Sequence, residues 1–79
     1  MSNNKSYKEI TAEQMEFAVF CIGCVADELK LSATEVYDLL NESHLLQDYI
    51  IDFYDVLHTQ SREYIVTDII NVMKEKGLI

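Results

Sequence analysis

The sequence predicts an all-α fold, a small four-helix bundle with its first helix at the centre. Three observations carry that reading. The chain has no proline and only two glycines, Gly23 and Gly77, which favours uninterrupted helices over a turn-rich β fold. Its apolar residues recur at three- and four-residue spacings. Two capping boxes, Thr11-Ala12-Glu13-Gln14 and Ser32-Ala33-Thr34-Glu35, announce helix starts, because in each a hydroxyl and a carboxyl or amide can satisfy two early backbone N–H groups reciprocally.

Residues 1–10 read as a polar lead-in and 11–79 as a single helical domain. The first helix runs from the Thr11 cap to about Lys30. Met15, Ala18, Ile22, Val25 and Leu29 share one face, and Phe17, Phe20, Cys21 and Cys24 fill most of the remainder. A helix apolar on so much of its circumference is surrounded, either as the middle of the domain or as half of a dimer seam. After a tight Lys30-Leu31 link the second helix runs from about Thr34 to Glu42, with Val36, Leu39 and Leu40 inward. Ser43 caps a third helix, about His44 to Leu57. Leu46, Ile50, Phe53 and Leu57 form its buried stripe, flanked by Tyr49 and Tyr54, and Asp48, Asp52 and Asp55 share the opposite face.

Thr59-Gln60-Ser61 makes the next break. The fourth helix spans about Arg62 to Lys76. Glu63 in its first turn and Lys74 and Lys76 in its last suit the helix dipole, and Gly77 is the expected stop. Tyr64 to Val72 is rich in β-branched residues, as a strand would be. Ile65, Ile69, Val72, Met73 and Lys76 nevertheless keep the helical period, and no partner strand is evident.

A chain of 79 residues makes one domain with a thin core. Such domains hide roughly 60–65% of their unfolded surface, so a second chain or a metal is a common supplement. The net charge of −8 speaks against nucleic acid, since phosphate contacts need Lys or Arg and only six exist. The second and third helices have the outline of a helix-turn-helix, but the third carries no basic residue for the DNA backbone. The longest apolar run, Phe17 to Ala26, is short of the roughly 18–20 residues that a membrane span requires. Met1-Ser2-Asn3-Asn4-Lys5-Ser6 is polar, with no signal core behind it. A cytoplasmic protein with reduced thiols is expected.

Three constellations could carry chemistry. Cys21-Ile22-Gly23-Cys24 has redox spacing, but a redox pair sits at a helix N-terminus after a strand, and these two fall deep inside a helix. The plainer reading is two small buried thiols beside a glycine that lets another helix approach. Cys21, Cys24, His44 and His58 could supply four zinc ligands, yet the histidines stand far outside the three-to-five-residue spacing of a finger. Asp55 and His58 could pair as orienter and base, with Ser61 or Thr59 as nucleophile. The better reading places His58 at a helix C-terminus, where it suits the dipole, and lets Thr59 or Gln60 cover loose carbonyls. Neither a catalytic residue nor a cofactor is expected.

The remaining signal is charge segregation. Between Lys30 and Arg62 stand Glu35, Asp38, Glu42, Asp48, Asp52 and Asp55, with no Lys or Arg among them. This sector closes on Tyr54-Asp55-Val56-Leu57-His58-Thr59-Gln60. Together with Lys30-Leu31-Ser32, Glu35-Val36-Tyr37-Asp38-Leu39-Leu40, Leu45-Leu46, Tyr49-Ile50-Ile51 and Tyr64-Ile65-Val66, that string resembles the small bacterial domain of unknown function 3791 over about Met15 to Glu75. The resemblance implies a short stand-alone helical protein with no established activity. It also implies a gene encoded beside a larger ADP-ribosyltransferase-like protein, in an arrangement similar to a toxin with its antitoxin.

The expected function is therefore a protein-interaction module, with a toxin-like ADP-ribosyltransferase as the partner that the resemblance implies. Asp48, Asp52, Tyr54, Asp55, His58, Thr59 and Gln60 would form or border its docking face, and a cationic pocket that accepts a nucleotide phosphate would be a suitable target. The alternative is a self-assembling homodimer without catalytic activity. A lesser alternative is a metal-binding or redox protein acting through Cys21 and Cys24.

Overall fold

The computed structural model describes residues 10–79. Most of the lead-in expected at residues 1–10 lies outside the described residues. Among the described residues every regular element is helical: α1 (Ala12–Leu29), α2 (Ala33–Glu42), a π-helical segment (Leu46–Ile51), α3 (Tyr54–Leu57) and α4 (Arg62–Glu75).

Both capping boxes form as read. Thr11 Oγ1 accepts the Gln14 N–H at 3.1 Å while Gln14 Oε1 accepts the Thr11 N–H at 3.0 Å. Ser32 and Glu35 repeat the exchange at α2, each bond at 3.0 Å. Ser32→Ala is expected to lower stability by about 1 kcal/mol, because the Glu35 N–H loses its acceptor. Urea unfolding measures that loss, and an unchanged midpoint would show that the box contributes nothing to the domain.

The turn after α1 is tight because Lys30 adopts the left-handed conformation, φ 61 and ψ 37. Leu31 N–H then donates to the Ala26 carbonyl at 3.0 Å, the six-to-one bond of a Schellman turn. Gly77 does the same after α4 with φ 76, and Leu78 N–H reaches the Met73 carbonyl at 2.9 Å. The glycine was readable as a stop. The lysine in a glycine's conformation was not.

α1 packs against α2, α4 and the π-helical segment, so it is the hub of the contacts. The innermost side chains are Cys21 and Val25 of α1, Val36 and Leu40 of α2, Ile50 of the π segment, and Ile69 and Met73 of α4. The middle of the α1 stripe is buried as expected. Its flanks are not, for Met15 and Phe20 are exposed. In α4 the helical reading holds over the strand reading, with Ile65, Val66, Ile69, Ile70 and Met73 inward.

The continuous third helix is corrected. Ser43 accepts the Leu45 N–H at 3.4 Å, but His44 takes a left-handed φ of 68 before the segment starts. Leu46–Ile51 is wound as a π-helix, and Asp52 N–H donates to the Gln47 carbonyl five residues back, at 3.1 Å. Phe53 then leaves helical geometry at φ −102 and ψ 22. A wide turn absorbs one extra residue and rotates everything after it relative to an α-helix. That rotation explains why Phe53, placed on the buried stripe by the α period, is 51% exposed, while Ile51 is buried. The sequence carries a trace of it: Leu45-Leu46 and Ile50-Ile51 are paired at a spacing of five. The same break interrupts the single face assigned to Asp48, Asp52 and Asp55.

Candidate functional site

Beyond Phe53 the chain makes one helical turn, α3, and its residues are held from inside and from within. Leu57 is buried and anchors the turn. Tyr54 meets Phe17 of α1 edge to face, ring centroids 5.4 Å apart. On its other side Tyr54 stacks on the His58 imidazole at 4.3 Å, the planes within 4° of parallel. This Phe17–Tyr54–His58 column ties the turn to the central helix. Tyr49 of the π segment packs edge to face against Phe53 at 5.9 Å.

The polar side chains of the Tyr54–Gln60 string act largely on their own backbone. His58 Nδ1 lies 2.7 Å from the Tyr54 carbonyl, an acceptor only, so the ring proton sits on Nδ1 and the neutral ring keeps Nε2 as its acceptor. Thr59 Oγ1 donates to the Val56 carbonyl at 2.7 Å. The Gln60 backbone N–H reaches the Leu57 carbonyl at 3.0 Å. These bonds cover the carbonyls that a helix end leaves open. Of the atoms that a catalytic relay would use, they engage His58 Nδ1 and Thr59 Oγ1. Nδ1, the nitrogen that Asp55 would orient, is engaged by a carbonyl. Ser61 Oγ accepts the Tyr64 N–H at 3.2 Å as the cap of α4.

The acidic sector faces solvent throughout: Glu35, Asp38, Glu42, Asp48, Asp52 and Asp55 are all exposed. Two apolar side chains stand among the last of them. Phe53, between Asp52 and Tyr54, is joined by Val56, which is 60% exposed directly after Asp55. Sequence reasoning selected the acids and Tyr54 but missed Phe53 and Val56. The first was assigned to the core, and the second carried no periodic signal.

The cysteines are buried and free, as the plainer reading held. Burial, and secondarily the proximity of Cys24, pushes the Cys21 thiol up to about 12, far from the reactive thiolate that redox chemistry needs. Cys24 Sγ instead accepts a hydrogen bond from Arg62 Nε at 3.2 Å, which joins α1 to α4. That bond is the leading cause of a raised Arg62 pKa. The contact spans 38 residues, and nothing in local periodicity could have announced it. Among the described residues no three His, Cys, Asp or Glu side chains are placed to share a metal ion, so Cys21, Cys24, His44 and His58 do not form the four-ligand set considered above. Among the same residues no helix is long and apolar enough to cross a membrane.

The plainer reading expects another helix to approach at Gly23; among the described residues none does, since a Cβ built on it would meet nothing within 4 Å. It stands open at the edge of α1, where alanine would be favoured by about 1 kcal/mol on helix propensity.

No curated protein matches the chain, and no solved structure does. A family model, described as Protein of unknown function (DUF3791), matches residues 16–76. The resemblance rested on strings between Lys30 and Val66, and the matched span contains them all, together with most of α1 and the whole of α4. A match over that much of a 79-residue chain establishes kinship, and the protein belongs to the DUF3791 family.

Proposed function

We propose that the chain is a non-catalytic protein-interaction module that docks onto a basic protein surface through the segment from Asp48 to Gln60. The observation that carries this reading is the exposure of Phe53 and Val56 between and beside Asp52 and Asp55. Each apolar side chain buried on docking contributes roughly 1.5–3 kcal/mol. The surrounding acids raise the encounter rate with a cationic partner and disfavour an acidic one. Leu57, the Phe17–Tyr54–His58 column and the Thr59 cap hold the turn in place beforehand, which reduces the ordering cost of binding. A non-catalytic role agrees with the local engagement of His58, Thr59 and Ser61.

The partner proposed is the ADP-ribosyltransferase-like protein implied by the family resemblance. Its nucleotide-phosphate pocket would present the cationic surface that the acids fit, and occupancy of that pocket would restrain it. Co-purification with the neighbour-encoded protein, followed by titration calorimetry, tests this directly. Phe53→Ala with Val56→Ala is expected to weaken binding about 10- to 100-fold, and Asp48→Lys with Asp55→Lys to weaken it most at low salt. Undiminished affinity in both double variants would place the docking face elsewhere.

A further inference from the structure

A second apolar surface lies away from α3, in the groove between α1 and α2. Met15, Val19 and Ile22 form one wall and Tyr37 the other, with Ile10 and Ile51 at one end. At the other end an open hollow of about 360 Å³ lies beside Gly23 and Ala33. No residue lining either part carries a charge, although a quarter of the chain is charged. Val19 is 62% exposed, the highest value among the large apolar side chains of the described residues.

We propose that this groove is the interface of a two-fold homodimer, with Val19 of each protomer seated in the hollow beside Gly23 of the other. Two features select a second copy of this chain as the occupant. The first is charge. Two chains of −8 repel one another, and a groove whose lining carries no charge is where they can meet with exposed acids such as Glu16 and Asp27 left at the rim. A basic partner would find no counter-charge there. The second is self-complementarity. A two-fold interface must carry both a projection and its receptacle on one patch. Val19 and Gly23 are one helical turn apart in the same groove, the first projecting and the second open, with nothing within 4 Å of its Cβ position. An antiparallel crossing of two α1 helices, its axis between these residues, fills both hollows at once. The missing side chain at Gly23, which no contact within the protomer requires, is what lets the partner's valine in.

Multi-angle light scattering across a concentration series tests the proposal. The chain is expected at twice its 9.2 kDa mass. Val19→Arg, at a position too exposed to disturb the core, should weaken the dimer at least about 100-fold while circular dichroism stays helical, because it places a charge in an uncharged seam. Phe53→Ala with Val56→Ala should leave the dimer intact, so this surface and the proposed docking face fail separately. Oxidising a mixture of Val19→Cys and Gly23→Cys chains should cross-link the mixed pair in preference to either like pair. A monomer at millimolar concentration overturns the proposal. So does a dimer that Val19→Arg leaves unchanged, or cross-linking without preference for the mixed pair.

Discussion

Leu40→Ala is expected to destabilise the domain by about 3 kcal/mol, within the 2–5 kcal/mol range for a fully buried leucine. Leu40 is completely enclosed in α2, and α2 packs on both α1 and the π segment. Truncation therefore removes apolar burial and leaves a cavity that three elements would have to close together. A domain of this size has a total stability of roughly 4–12 kcal/mol, so the loss is a large fraction of the whole. Urea unfolding should show a lower midpoint with an unchanged slope. Glu28→Ala, at an exposed position of α1 outside either proposed interface, serves as the control and should change stability by no more than about 0.5 kcal/mol. A Leu40→Ala loss as small as the control's would mean that α2 does not depend on its docking against α1.

The second large effect is alkaline destabilisation through Cys21. Its thiol is pushed from the ordinary 9.0 to about 12 by burial first and by Cys24 second. The folded state thus holds the proton more tightly than the unfolded state does. The contribution to stability is complete below pH 9 and is lost as pH rises from 9 towards 12, where the unfolded chain ionises and the folded one does not. Within that window the folding equilibrium constant should fall up to about tenfold per pH unit from this group. Cys21→Ala should remove that component. The comparison is made by urea titration of both proteins at pH 8 and pH 11. Identical pH dependence in the two would show that the thiol is not held in its neutral form by the fold. The same burial predicts that Cys21 reacts with a thiol reagent only on unfolding.

Most of the helical architecture was legible because it rests on short-range chemistry. Thr11 with Gln14, and Ser32 with Glu35, satisfy one another within a single turn, so each capping box is visible as four consecutive residues. Gly77 ends α4 through its own conformational freedom. The helical period of Ile65, Ile69 and Met73 outweighed their β-branched neighbourhood, since a strand needs a partner and a helix does not. The third helix was misread because two geometries compete there. The α period predicts a stripe through Phe53, whereas pairs five residues apart at Leu45-Leu46 and Ile50-Ile51 bury better on a wider turn.

The candidate site divides in the same way. Tyr54, Asp55, His58 and Thr59 were visible in one continuous string, with Asp48 and Asp52 just ahead of it, and the local caps made by His58 and Thr59 follow from their position at a helix end. The exposed Phe53 and Val56, the Phe17–Tyr54 contact and the Arg62–Cys24 bond were not visible. Each depends on where one segment lies against another or on a change of helical phase. Linear spacing encodes neither.

The sequence by itself determined that the chain is helical, where three of its helices begin and end, that its middle is one-sidedly acidic, and to which family it belongs. These follow from interactions within about four residues and from composition. Only the tertiary structure decided which apolar residues stay outside. Burial depends on the packing partners that each face meets, and α1 meets too few to cover both Val19 and Phe20. The wide turn at Leu46–Ile51 then carries Phe53 out of the core and into the acidic surface.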